Sequence, residues 1–393
     1  LHFQNARFDA ARCVINQALE RLYWTQRGRH GCACLILEET LGCIGESVKL
    51  ILAQMLLTKA RILLAIDKGD EIVFRSEAKY LTETAISLVQ PRSRSSPQFL
   101  SLVAEGLFIL GMIHSRDGSS NPVFALENFE RAEGIFRSLS CHPSGYITYS
   151  NWAAQTAQQV GNLHLEQGLL ELAKFSYWEA LRLYRFLHQH DSDFLLIDMA
   201  TTLASLGWMH VLENDLILAQ QSTMEALCLL RSHHGQVDLS HPAGSNISMR
   251  SLRNLASVEF QVGMIAILTG HTSHALGYLK AAMRHQQAAH QAEHVDIAVT
   301  MEVIGSTYHQ LGKRRKAKLF LESALDIRKR SRYNSNPLDI ARIQSRLSLL
   351  LLECNDVTQA ETLLSKAMRR YQFCSTPLDE LGQLALQSLS RMR

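Results

Sequence analysis

At 393 residues, 47% hydrophobic and with only 7 Pro, the chain has the composition of a helix-rich folded protein and not of a disordered one. A net charge of +3 excludes a global field that gathers nucleic acid or membrane. The charge is uneven, because residues from Asp296 onward hold sixteen Lys/Arg against ten Asp/Glu. Eight irregularly spaced Cys suit reduced thiols better than a disulfide framework, so the expected compartment is the cytoplasm, with the nucleus left open.

In chain order, the first rhythm is Ala11/Ile15/Ala18 within Phe8–Leu22, which reads as the second helix of a hairpin. Its first helix is missing, so the sequence is expected to be a piece of something longer. Residues 23–47 fit no repeat, and residues 1–47 are read as a partial repeat helix plus an irregular linker. The apolar stretch Leu50–Ile66 is interrupted by Gln54, Lys59 and Arg61, which argues against membrane insertion. From there to residue 376 one pattern governs the chain. Ala, a bulky residue and Ala recur at Ala78/Thr82/Ala85, Ala125/Phe129/Ala132, Ala173/Tyr177/Ala180, Ala219/Thr223/Ala226, Ala275/Leu279/Ala282, Ala317/Leu321/Ala324 and Ala360/Leu364/Ala367.

Twelve residues before the lead Ala stands a small residue in the later copies: Gly161, Gly207, Gly263, Gly305 and Ser348. Five residues before it stands a turn former: Gly168, Asn214, Gly270, Gly312 and Asn355. In the second copy Gly118 precedes Ala125 by seven, which predicts a longer loop around residues 116–121. Successive lead alanines are 47, 48, 46, 56, 42 and 43 residues apart. That periodicity predicts stacked helical hairpins, with Ala and Gly where helices cross closely, and residues 377–393 as a terminal cap helix over the last apolar face.

Gly161/His164/Ala173/Tyr177/Ala180 and Gly305/Tyr308/Ala317/Leu321/Ala324 resemble the tetratricopeptide repeat. The spacing is longer than that family's usual period of about 34. His294-Val295-Asp296-Ile297-Ala298, Asn336-Pro337-Leu338-Asp339-Ile340-Ala341 and His241-Pro242 look like the His-Pro-x-x-Ala repeat start of the kinesin-light-chain and nephrocystin-3 class. That class has a period of about 42 and a helix end like Ala324-Leu325-Asp326-Ile327. The resemblance implies an all-α, right-handed solenoid of about seven antiparallel hairpins plus the cap helix.

It further implies that first helices line a concave, peptide-binding face. By that register Phe108, Met112, Gln158, Asn162, Trp208, Phe260, Met264, Glu302 and Ser306 point into the groove. Asn162 falls where such grooves hold an Asn on the main chain of an extended peptide, its amide offering both donor and acceptor. Phe108, Met112, Trp208, Phe260 and Met264 make the groove apolar. Arg342, Arg346 and His309 make its C-terminal end basic and suited to a carboxylate. The competing reading for the Phe, Met and Trp residues is helix-to-helix packing.

Chemical signals are few. His30, Cys32, Cys34 and Cys43 have the atoms for a zinc site, but C-x-C is not the usual knuckle and no second pair follows. Two basic runs, Lys313-Arg314-Arg315-Lys316 with Lys318 and Arg328-Lys329-Arg330 with Arg332, could meet phosphates or an acidic partner. They lack neighbouring aromatics for stacking single strands. There is no P-loop, dinucleotide glycine motif or nucleophile elbow. The expected function is a non-catalytic scaffold, with no cofactor, that captures a peptide segment of a protein partner. Three alternatives stay open: the sensor or autoinhibitory arm of a larger switch ATPase, nucleic-acid binding through the C-terminal basic runs, and a groove filled by residues 23–47.

Overall fold

The structure is a computed structural model and describes residues 46–65, 71–90, 96–116, 122–141, 145–189, 195–234, 249–289, 294–330 and 336–392. The described residues form fifteen helices and no strand. In order these are α1 (Glu46–Ala65), α2 (Glu71–Val89), α3 (Pro97–Arg116), α4 (Pro122–Leu139), α5 (Tyr146–Glu166), α6 (Leu170–His188), α7 (Leu195–Leu212), α8 (Leu216–His234), α9 (Met249–Leu268), α10 (Thr272–Ala289), α11 (Val295–Gln310), α12 (Arg314–Arg330), α13 (Pro337–Glu353), α14 (Val357–Phe373) and α15 (Glu380–Met392). They pair as seven hairpins, α1/α2 through α13/α14, with α15 as the cap. The expected all-α solenoid is what the chain forms.

The chain divides into two compact units, residues 1–205 and 206–393, the boundary falling inside α7. In the first unit each of α1 to α6 packs on the next, around Leu57, Leu63, Leu107, Ile109 and Phe136. In the second, α8 to α14 stack in succession around Leu279, Ile304, Leu321, Ile343 and Leu350, and α15 lies on α13 and α14.

The repeated small residues explain how each hairpin closes. Every lead and trailing Ala of the seven copies is at most 1% exposed, so each is a crossing point with no room for a larger side chain. Opposite them the first helix comes so near that an added Cβ at Gly161, Gly263 or Gly305 would lie within 2.8 Å of Tyr177, Leu279 or Leu321. The second hairpin has the same contact at Gly111, whose Cβ would meet the Phe129 ring at 2.6 Å. That crossing is fourteen residues before Ala125, not twelve, consistent with the longer connector expected there; residues 117–121 themselves lie outside the described residues.

The turn formers also take their expected role. Gly168, Asn214, Gly270, Gly312 and Asn355 all have left-handed backbones, with φ of 74°, 62°, 82°, 71° and 61°. At Gly312 the chain reverses with Lys313 N–H donating to Tyr308 C=O (2.9 Å) and Gly312 N–H to His309 C=O (2.9 Å). These two hydrogen bonds satisfy carbonyls left over at the end of α11, and the turn leads the chain into α12. Ser375 (φ 53°) makes a sixth such turn after α14, with Thr376 N–H donating to Tyr371 C=O at 3.0 Å. The cap helix starts at Glu380, inside the expected 377–393, because the Asp379 carboxylate accepts from Gly382 N–H (3.0 Å) and caps it. Of the three repeat starts, two are caps as well: His294 accepts from Asp296 N–H and Asn336 from Leu338 N–H, while His241-Pro242 lies outside the described residues.

Among the described residues two helices, α3 and α7, are long and apolar enough to cross a membrane by length and composition. Both are first helices of hairpins, with more than half of the apolar window buried inside the fold.

Candidate functional site: the first-helix face of each unit

The residue that follows each close-crossing small residue sits beside the helix contact and is half-buried in every hairpin from α3 onward. These residues are Met112 and Asn162 in the first unit, and Trp208, Met264, Ser306 and Leu349 in the second. A side chain there is anchored by its neighbours yet reaches the surface.

In the first unit much of this face is engaged within the fold. Phe108 packs edge-on to Trp152 (5.3 Å between ring centres) and against Phe129 (5.6 Å). Trp152 in turn stacks on Phe136 at 5.5 Å. Gln158 is buried, donating to Thr201 Oγ1 (3.0 Å) and accepting from the Tyr184 hydroxyl (3.5 Å). The Asn162 carbonyl accepts from the Tyr177 hydroxyl at 2.8 Å, and its amide nitrogen lies 3.4 Å from Gln159 Oε1. Burial pushes the Tyr177 hydroxyl well above its usual pKa, so it stays a proton donor to Asn162. Met112 packs beside Phe129 and Leu163.

In the second unit Trp208 and Met264 are half-buried, and Phe260 packs on the core of α10 to α13. Arg342, Arg346 and His309, the residues expected to make a basic end, are each paired with an acid of the fold. Glu302, with 5% of its side chain exposed, accepts from Arg342 Nε (3.0 Å) and Nη2 (3.3 Å), and Arg346 Nε lies 3.6 Å away. Arg342 also reaches Asp339 at 3.3 Å, and Arg346 donates to the Ser306 hydroxyl. His309 bonds Glu353 at 2.9 Å, and Arg314 meets the same carboxylate at 3.1 Å. Burial disfavours ionisation of Glu353, but the bonds and charges of His309 and Arg314 outweigh it and hold the carboxyl below its usual range. Arg342, Arg346 and His309 therefore tie adjacent first helices α11 and α13 together. Sequence reasoning placed Glu302 on this face but missed its pairing; the usable signal was an acid and two bases near equivalent register in successive repeats.

Three further features were not foreseen. Arg328, part of the second basic run read as able to meet phosphates or an acidic partner, is 3% exposed and donates to Asp339 Oδ2 at 2.6 Å, so it joins α12 to α13. Glu259, 2% exposed, lies 2.7 Å from His285 Nδ1 and 3.4 Å from Arg231, linking α8, α9 and α10. A cavity of about 270 Å³ opens among Thr223, Met224, Val262, Ile265, Ala266 and Tyr278. Thr223 stands where five of the other hairpins carry Phe, Tyr or Leu, and its hydroxyl, like that of Thr82 in the first hairpin, folds back on its own helix, to Ala219 C=O at 2.8 Å.

His30, Cys32, Cys34 and Cys43 lie outside the described residues. Among the described residues no cluster of three or more His, Cys, Asp or Glu could hold a metal ion.

Residues 248–330 match the family model described as tetratricopeptide repeat. No curated relative matches the chain. Among solved structures it is similar to BtubC (BKLC) from P. vanneervenii, at 17% identity over 65% of this chain and 92% of that one, with a TM-score of 0.52. It is similar to the apo form of RapI, at 12% identity over 83% and 76%, TM-score 0.54. A third is the STAND signal-transduction ATPase with a tetratricopeptide repeat sensor from Pyrococcus horikoshii, at 14% identity and TM-score 0.55, covering 89% of this chain and 50% of that chain. At such identities the likeness is one of fold. The matched segment lies in phase with the Ala, crossing and turn positions of the other hairpins, so residues 248–330 resemble a tetratricopeptide repeat within an all-α solenoid of like hairpins.

Proposed function

We propose that the chain is a non-catalytic scaffold that holds a segment of a partner protein against its first-helix faces. The observation that carries this is the half-buried residue repeated beside every close crossing from α3 onward, which in the second unit includes Trp208 and Met264. Partly exposed Trp supplies a large contact area and Met an adaptable one, and such residues are enriched at protein interfaces. In the first unit Asn162 offers an amide to a peptide main chain once its contact with Tyr177 opens. In the second, a partner carboxylate would compete with Glu302 for Arg342 and Arg346.

The test begins with partners recovered from cell extract on the full chain, then measures affinity for one of them. Trp208→Ala with Met264→Ala is expected to weaken binding by roughly tenfold or more while helix content and melting stay unchanged. Tyr177→Phe, which frees the Asn162 carbonyl without opening a cavity, is expected to leave the fold intact. Partners retained fully by the folded double variant would place binding elsewhere and sink the reading. The likeness to the STAND protein keeps a second reading, a sensor arm of a larger switch ATPase; a P-loop encoded in the same gene would decide it.

A further inference from the structure

We propose that the second-helix side of the second unit carries a separate docking site for an acidic segment of a partner protein. It is built from Lys280, Lys313, Arg315 and Lys316 and does not use the first-helix face. The Lys280 ammonium on α10 and the Lys316 ammonium on α12 lie 5.4 and 5.7 Å from the centre of one ring, that of Tyr308 on α11. Two hairpins thus bring their cations to a common point, each held by the electron-rich ring face. Lys313 sits in the turn just before Lys316 and bonds back to Tyr308 through the main chain.

What distinguishes this patch from an ordinary solvated face is the absence of compensating acids among the described residues. Helix α10, from Thr272 to Ala289, has no Asp or Glu, and the first turn of α12 has none either. The nearby carboxylates are taken: Glu353 by His309 and Arg314, and Glu322 by Lys318 at 3.9 Å. The cations also crowd the end of α12 where the backbone dipole is positive, so the free protein bears a repulsion that an anionic partner relieves. Lys280, Lys313, Arg315 and Lys316 are all exposed.

The chemistry favours an acidic protein segment over a nucleic acid. Single strands need exposed aromatic faces to stack on, whereas Tyr308 is 4% exposed and Phe320 packs on it at 5.6 Å. Flexible carboxylates need only point charges, which lysine supplies.

The test is fluorescence anisotropy of a labelled decaglutamate peptide with the full chain, in parallel with a single-stranded RNA of equal charge. Lys280→Glu/Lys316→Glu is expected to weaken peptide binding by roughly tenfold or more, and added salt to weaken it in the parent protein. Lys366→Glu/Arg369→Glu, an equal charge change on α14, is expected to leave it within about twofold. Should the charge reversal disturb folding, Lys280→Gln/Lys316→Gln reads the same loss. Peptide affinity untouched by either pair, or lost equally in the α14 control, overturns the site. RNA bound more tightly than the peptide and lost with the same variants overturns the choice of partner.

Discussion

Asp339→Ala is expected to destabilise the second unit by about 3–5 kcal/mol, lowering its melting temperature by roughly 10 °C. The reason is Arg328 and not the aspartate itself. Arg328 is 3% exposed at the end of α12, and its Nη1 donates to Asp339 Oδ2 at 2.6 Å. Its Nε has no partner, so the carboxylate is the main compensation for a guanidinium drawn out of water. Truncating Asp339 strands that charge and also removes the 3.3 Å contact to Arg342. Removing both sides together, as Arg328→Met/Asp339→Leu, is expected to recover most of the loss, since an apolar pair carries no desolvation penalty. Thermal melts of the two variants beside the parent check this. A single variant that melts with the parent would mean that the pair does not hold α12 to α13.

Gly305→Val is expected to cost about 3 kcal/mol, the high end for overpacking a closed contact. A Cβ at Gly305 would lie 2.8 Å from Leu321 Cγ and 3.3 Å from the Ala317 carbonyl oxygen. The side chain can move only into the core of α10 to α13, and the carbonyl belongs to the helix backbone. Gly277→Ala is the matched control. Nothing lies within 4 Å of its added Cβ, so the change gains roughly 0.5–1 kcal/mol of helix propensity. Denaturant melts of the pair should move in opposite directions. Equal stability of Gly305→Val and the parent would show that close crossing is not what the repeated glycine provides.

The fold was legible because it is written locally. Gly161 against Tyr177 and Gly305 against Leu321 are contacts between residues sixteen apart, and the left-handed turn between them depends on one residue. Steric exclusion at a small residue and a positive φ leave signatures that a single sequence carries in phase. The candidate site was less legible, because its state depends on pairings between repeats. Asn162 was readable as a face residue, but not that Tyr177 holds its carbonyl. Arg342 and Arg346 were readable as cations on the same face, but not that Glu302, forty residues before Arg342, neutralises them. Arg328 misled for the same reason: a run of basic residues at a helix end says nothing of which one the next hairpin pulls inward.

The local closure of each hairpin also bears on how such a gene can lengthen. Between Ala275 and Ala360 the crossings recur every 42 or 43 residues, and each closes on partners inside its own hairpin. A duplication of one whole period would insert a unit whose two outer faces already match its neighbours, with the Gly, the Ala pair and the turn copied together. A duplication of any other length would separate a crossing glycine from its partner. Growth and loss by complete periods are thus the changes this architecture tolerates with least repair.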